Sequence, residues 1–219
     1  CLKTRWVKLF FTRNKDQATL FVTFNEFHEW LTVFFSKQFD SQTLYVVKRL
    51  LSDLGGEFDN TSVRGFTDRH KWAHIFAATK MHHMNPHVER WFQTLWACMN
   101  KLIFTGDCPK ELWTYVAKFV AYVRNRLLYK FAGTLVPSPF QTLNKVAPNL
   151  SYVRVFYCPC WPVDDSYHQK SEVNAVPCRY LGPSNDEDRV RGSYIHNTET
   201  GNISIAGMLR YNEQYDEKL

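Results

Sequence analysis

A chain of 219 residues with 45% hydrophobic and 22% charged side chains holds enough apolar material for one good core and a smaller satellite, which excludes the intrinsically disordered classes. Six cysteines are too sparse for a disulfide framework, so the chain reads as intracellular, and no apolar run reaches the roughly 18 residues of a membrane span. The net charge of +6 is unevenly spread: residues 61 to 130 hold 11 basic and 4 acidic side chains, against 8 and 7 in residues 1 to 60 and 8 and 10 in residues 131 to 219. A basic middle third is what a polyanion such as nucleic acid requires when its phosphates must approach carboxylates, although a solvated basic face has the same composition.

In chain order, Trp6 to Phe11 reads as a strand. Asp16 is a helix N-cap, and Leu20, Phe24, Phe27, Leu31 and Phe34 follow at helical spacing along one face to about Lys37. That apolar stretch is interrupted by Asn25, Glu26, His28 and Glu29, and no signal peptide is visible. The first residue is Cys1 rather than Met, which points to processing, a fragment or a truncation. Leu44 to Leu51 reads as a strand buried on both faces for most of its length, delivering Asp53 to the mouth of the Gly55-Gly56 turn. A helix-like segment from Thr61 to His70 and a strand from Trp72 to Ala78 come next.

Residues 79 to 87 form a loop rich in His, Met and Asn, with Asn85 as N-cap and Pro86 at the first helical position. Val88, Phe92, Leu95, Met99 and Leu102 make the buried stripe of the helix that follows, and Glu89 sits beside it in the first turn. A second helix runs from Pro109 to about Lys130 over Leu112, Val116, Phe119, Val123 and Leu127. Arg124, Arg126 and Lys130 near its end suit the helix dipole. Gly133, Pro137, Pro139 and Pro148 then mark a boundary, dividing the chain into a core of residues 1 to 130, a linker of 131 to 150 and a β-rich region of 151 to 219. Strands are expected at Tyr152 to Tyr157, Val176 to Leu181, Ser193 to His196 and Ile203 to Leu209, with Thr200-Gly201-Asn202 as a hairpin turn.

Two carboxylates stand out. Asp53, at the carboxyl end of a strand, and Glu89, opening a helix, supply hard oxygen ligands of the kind that suit Mg²⁺ or Mn²⁺ in polynucleotide chemistry, where a third carboxylate normally completes the cage. Taken alone, Asp-x-Gly-Gly is also an ordinary turn, and a Glu in a first turn is also an ordinary response to the helix dipole. Cys158, Cys160 and Cys178 lack a partnering C-x-x-C or H-x-x-x-H, so no structural zinc is expected. His70, His74, His82, His83 and His87 read as surface or loop histidines.

The stretch LLSDLGGEF, residues 50 to 58, resembles the R-S-D-N-G-G-E-F motif of copia-type LTR-retrotransposon integrases, and Glu89 follows Asp53 at the interval of the last two members of their D, D, E triad. NPHVERWFQTL, PKELW at 109 to 113, YVRNRL at 122 to 127, PSPFQTL, APNLSYVRVFYC, CRYLGPS and NTETGNI at 197 to 203 resemble further motifs of the family, in the family's order. The resemblance implies an α/β, ribonuclease-H-like integrase core with an incomplete mixed sheet and flanking helices, followed by a small β-rich region. It implies metal-dependent processing of element DNA ends and their transfer into a target duplex. Asp53 and Glu89 would be the catalytic metal ligands, and Lys80, His82, His83, Asn85 and Arg90 would lie against DNA in and beside a mobile loop from Lys80 to His87. The intact parent would form a homo-oligomer, have no membrane partner, and act in the nucleus after passage through an element-derived particle.

Departures from the pattern set a second expectation. The family's first catalytic Asp and first two strands lie upstream of the turn that Cys1 to Arg5 resembles, and its zinc-binding residues lie further upstream. Leu54 replaces an Asn, Pro86 a Gly, and Trp91-Phe92 a Lys-Asn pair that would contact phosphate. Loss of a central strand leaves unpaired edges, so the isolated chain is expected to fold poorly and to be an inactive, decayed or truncated integrase. The alternative is a non-catalytic remnant that binds nucleic acid or protein.

Overall fold

A computed structural model describes residues 4–14, 16–36, 47–53, 55–77, 86–131, 133–163, 176–185 and 192–214. The fold is mixed α/β, and the chain clusters into two compact units, Phe10–Phe92 and a second made of Cys1–Leu9 with Gln93–Leu219.

In the first unit, Asp16 caps α1 (Gln17–Ser36), its Oδ1 accepting from the Thr19 amide at 2.7 Å. The cap and the apolar spacing place Phe24 in the core with Leu20, Phe27 and Leu31 packed around it, as the sequence pattern requires. The strand β1 (Arg49–Ser52) pairs in parallel with β2 (Ala73–Phe76), and α2 (Thr61–Arg69) forms the crossover that a parallel pair needs. Asn60 starts α2 by accepting from the Val63 amide at 3.0 Å. Val63, Phe66 and Trp72 close the core against Phe24, with Phe24 and Phe66 ring centroids 5.5 Å apart. Two histidines finish this packing: the rings of His28 on α1 and His70 at the end of α2 lie 3.8 Å apart, centroid to centroid. On β2, His74 Nε2 lies 2.8 Å from Ser52 Oγ, whose own hydrogen goes to the Asp53 carbonyl at 2.9 Å. Buried Nδ1 of His74 has no hydrogen-bond partner among the described residues.

The second unit is built on α4 (Trp113–Arg126), which follows most of α3 (Pro86–Gly106) and a single 3₁₀ turn (Lys110–Leu112). Burial extends round most of α4: Val116, Ala117, Phe119, Val120, Ala121, Tyr122, Asn125 and Arg126 are all buried. A short hairpin of β3 (Tyr129–Phe131) and β4 (Thr134–Val136) and the helix α5 (Pro139–Asn144) occupy the region read from sequence as a linker. The strands β5 (Pro159–Pro162), β6 (Cys178–Pro183), β7 (Ser193–Asn197), β8 (Ile203–Ala206) and β9 (Leu209–Tyr211) form an antiparallel sheet in the order β8-β7-β6-β5-β9. Helix α4 packs on β6, close enough at Gly182 that a Cβ there would lie 3.1 Å from the Phe119 ring.

Several expectations are corrected. Trp6 to Phe11 forms no strand: the Val7 amide and carbonyl bond instead to the Asn125 side chain, at 2.9 and 2.7 Å, so an amide group of α4 replaces a neighbouring strand. Tyr152 to Tyr157 is a series of turns, because Tyr157 adopts a φ of 61° and its amide donates to the Tyr180 carbonyl. The run from Ile203 to Leu209 breaks into two strands at Gly207 and Met208. β1 is only half-buried along Leu50 and Leu51, since β2 alone pairs with it among the described residues. The α3 stripe is buried at Leu95 and Met99 but open at Val88 and Phe92, which are 41% and 49% exposed. Beyond these corrections, Arg126, expected only to suit the helix dipole, is 2% exposed: its guanidinium lies 3.5 Å from the Tyr122 ring centroid and 4.8 Å from that of Phe140.

Asn125→Leu strips both Val7 backbone groups of their partner, at a cost of about 1–3 kcal/mol. The expected result is a melting temperature several degrees lower, with at least as large a loss for Asn125→Asp, whose buried carboxylate keeps the acceptor but has no hydrogen for the Val7 carbonyl. Stability also depends on pH. Burial lowers the pKa of His70, with repulsion from His28 and Arg69 adding to it, and burial lowers those of His74 and His196 below the usual 6.5. The folded state therefore binds protons less readily than the unfolded chain. This stability is complete above about pH 6.5 and is lost as the pH falls toward the folded-state pKa values. Urea midpoints measured between neutral and mildly acidic pH should fall with pH; midpoints that stay flat or rise would contradict the burial of these rings.

Candidate active site

Asp53 stands one residue beyond β1, where the parallel strand ends, and its side chain is exposed. The turn that follows is held from within: the Gly55 amide donates to Asp53 Oδ1 at 3.3 Å, and the Phe58 and Asp59 amides donate to the Gly55 carbonyl at 2.8 and 3.0 Å. Asn60 braces the same turn, its Nδ2 donating to the Glu57 carbonyl at 2.8 Å. Neither Gly55 nor Gly56 takes a positive φ. A Cβ on Gly55 would meet the Glu57 carboxylate, the movable end of a flexible side chain. From behind, the Ser52 hydroxyl bonds the Asp53 carbonyl while its oxygen meets His74, which fixes the backbone from which the carboxylate projects.

Glu89 lies in the first turn of α3, exposed, where the partial positive charge of the helix N-terminus favours an anion. It belongs with Asp53 to the unit Phe10–Phe92. No hydrogen bond or ion pair links Asp53 to Glu89 among the described residues, and no group of three or more His, Cys, Asp or Glu there is arranged to hold a metal ion. Arg90 is exposed beside Glu89 on α3. Lys80, His82, His83 and Asn85 lie outside the described residues, as does the expected mobile loop apart from the start of α3. Sequence reasoning missed Ser52, His74 and Asn60, the residues that hold the Asp53 turn. Of these, Asn60 carried a signal, since an Asn before a helical run is a cap candidate.

The other sequence candidates are structural. Cys160 and Cys178 in the C-terminal sheet and Cys158 just before it are buried free thiols, and burial pushes Cys158 up to about 11 and Cys160 to about 12. Thiols so strongly held in the protonated form are poor nucleophiles.

No protein-family model matches the chain. In sequence it is 27% identical over 163 residues to the retrovirus-related Pol polyprotein from transposon RE1 of Arabidopsis thaliana, a match covering 74% of this chain and 11% of that protein. It is 29% identical over 136 residues to the corresponding polyprotein from transposon RE2 of the same plant, covering 62% and 9%, and 24% identical over 187 residues to that from transposon TNT 1-94 of Nicotiana tabacum, covering 83% and 13%. The chain thus spans about a tenth of the length of the curated relatives it matches. Among solved structures it is similar to the catalytic core domain of BIV integrase, with a TM-score of 0.46 and 13% identity over 65% of this chain and 80% of that one. It is also similar to a chain of the simian T-cell lymphotropic virus intasome in complex with the PP2A regulatory subunit B56 gamma, with a TM-score of 0.45 and 10% identity over 91% and 66%. The homologues of the chain are retrovirus-related Pol polyproteins of copia-type transposons, and its ordered motifs are consistent with a copia integrase fragment.

Proposed function

We propose that this chain is the portion of a copia-type integrase that carries the second and third catalytic carboxylates, Asp53 and Glu89, of a DNA end-processing and strand-transfer enzyme. The observation that supports this most is the contrast at Asp53. The carboxylate is exposed at the carboxyl end of a parallel strand, while the groups that position it, Ser52 and Asn60, are buried and hydrogen-bonded.

The donor chemistry fits a hard divalent cation, and Asp53 and Glu89 are the residues that would hold it. Mg²⁺ or Mn²⁺, when bound, would supply a polarised water or 3′-hydroxyl and stabilise the leaving oxygen of an in-line displacement. The chain's own part is to present two carboxylates on fixed elements, one held by the Asp53 turn and the other by the dipole of α3. Arg90 and the basic surplus of residues 61 to 130 would neutralise the phosphates brought to them. Two carboxylates do not complete the cage, so on this reading the chain by itself neither processes nor joins DNA ends. The third carboxylate would belong to the longer polyprotein.

A second reading has its own support. Among the described residues no three-ligand metal group exists, while the basic zone remains. These features also suit a non-catalytic nucleic-acid-binding remnant.

Asp53→Asn keeps an oxygen for the Gly55 amide, Glu89→Gln removes only a charge at the start of α3, and both groups are exposed. Each should shift stability by no more than about 0.5 kcal/mol, leaving the melting temperature within about 2 °C. In a longer polyprotein carrying an upstream carboxylate, either substitution should abolish Mg²⁺-dependent strand transfer and spare salt-sensitive DNA binding. Strand transfer by the 219-residue chain alone, or retention of activity in the Asp53→Asn polyprotein, would overturn the reading. Binding without activity in a polyprotein that has the upstream carboxylate would favour the remnant.

A further inference from the structure

The C-terminal sheet has two edges, and they are built differently. On one side β9 carries the exposed Arg210 at its centre. On the other, β8 lies within a run from Asn202 to Met208 that has no charged residue and no proline, and Ile205 and Met208 are 59% and 60% exposed. Charges, prolines and bulges are the usual means by which an open edge avoids pairing, so β8 lacks that protection beyond its shortness.

The register defines what this edge offers. The Asn197 amide donates to the Asn202 carbonyl at 2.9 Å, which makes 197 and 202 a hydrogen-bonded position of the β7–β8 ladder. Such positions alternate along an antiparallel pair. Ile195 with Ser204 and Ser193 with Ala206 are therefore hydrogen-bonded too, and the backbone groups of Ser204 and Ala206 face β7. Ile203 and Ile205 turn their amides and carbonyls to the open side, where no described strand or loop meets them.

We propose that β8 is a self-association edge, paired antiparallel with β8 of a second copy of this chain about a twofold axis at Ser204. The sequence Ile203-Ser204-Ile205 reads the same in both directions. Centring the pair on Ser204 sets Ile203 of each copy opposite Ile205 of the other, and these are the residues whose backbone groups face outward. Four N–H···O bonds close, both exposed Ile205 side chains gain an apolar neighbour, and two five-stranded sheets become one. Pairing β8 with β9 of another copy would bury Arg210 against an apolar strand and would propagate without closing, whereas the twofold arrangement closes as a dimer. The seam is well short of the roughly 1,000 Å² of a stable interface, so the dimer is weak and forms as concentration rises. This inference rests on the sheet alone and is independent of the integrase reading.

The test uses the full chain with Cys1 and with Cys98, the exposed thiol among the described residues, both changed to Ser. Ser204→Cys under mild oxidation should give an intermolecular disulfide joining the two copies at position 204, identified by peptide mapping. Ala206→Cys, which the register places opposite 202 of the other copy, should not. In sedimentation velocity Ile205→Lys should weaken dimerisation about tenfold or more, equivalent to about 1.4 kcal/mol. Ile205→Pro, which removes one outward amide and leaves the β7–β8 bonds in place, should act likewise. No disulfide at position 204 with circular dichroism showing a folded chain, or equal cross-linking at 206, overturns the proposal. A dimer indifferent to Ile205→Lys does so as well.

Discussion

The C-terminal unit depends on the burial of α4 around most of its circumference. A helix in that position must hold its polar residues without water, and the last turn of α4 shows how. Asn125 gives both ends of its amide to the Val7 backbone, and Arg126 places its guanidinium between the Tyr122 and Phe140 rings while donating to the Tyr122 carbonyl at 3.3 Å. That bond adds a side-chain donor to a carbonyl of the last turn, where a cation is also favoured by the dipole. One pair of adjacent residues therefore ties the N-terminal segment, the end of α4 and α5 into one unit. The Y-x-x-N-R stretch, which in sequence adds to the basic surplus, is here a structural joint.

The Asp53 turn shows a similar division between what is buried and what is exposed. Ser52 joins two strands, bonding the Asp53 carbonyl through its hydrogen and His74 through its oxygen, and Asn60 caps α2 while bracing the turn at Glu57. The carboxylate is left to solvent. A half-covered two-stranded parallel sheet is a slight base for such a turn, which is why hydrogen bonds to side chains carry so much of its definition. Those side chains lie on both flanking elements, so the position of Asp53 depends on the packing of β1 and α2 together.

Much of the local structure was legible in the residues. Asp16 before an apolar helical stripe, Pro86 at the start of α3, and Thr200-Gly201-Asn202 between two strands are all found where expected, with Gly201 at a φ of 71°. These features are decided by hydrogen bonds and steric limits spanning a few residues, and any chain with those residues meets the same limits. Asp53 and Glu89 were legible for a related reason: their motif and interval are properties of the chain, whatever surrounds it.

Partners distant in sequence decided the rest. Trp6 to Phe11 has the apolarity of a strand, but an amide 118 residues away supplies its bonds. Tyr152 to Tyr157 has strand composition, but pairing with Tyr180 turns it at a positive φ. Val88 and Phe92 continue the periodicity of Leu95 and Met99 and remain exposed, because periodicity marks a face and only packing covers it. Charge behaves likewise: Arg124, Arg126 and Lys130 are equivalent in sequence, and the neighbouring rings alone bury Arg126. By itself, then, the sequence determined caps and turns, whose causes lie within a turn of chain. Tertiary structure decided which apolar faces are covered, which strands pair and which charge is buried, because those energies exist only between groups that folding brings together.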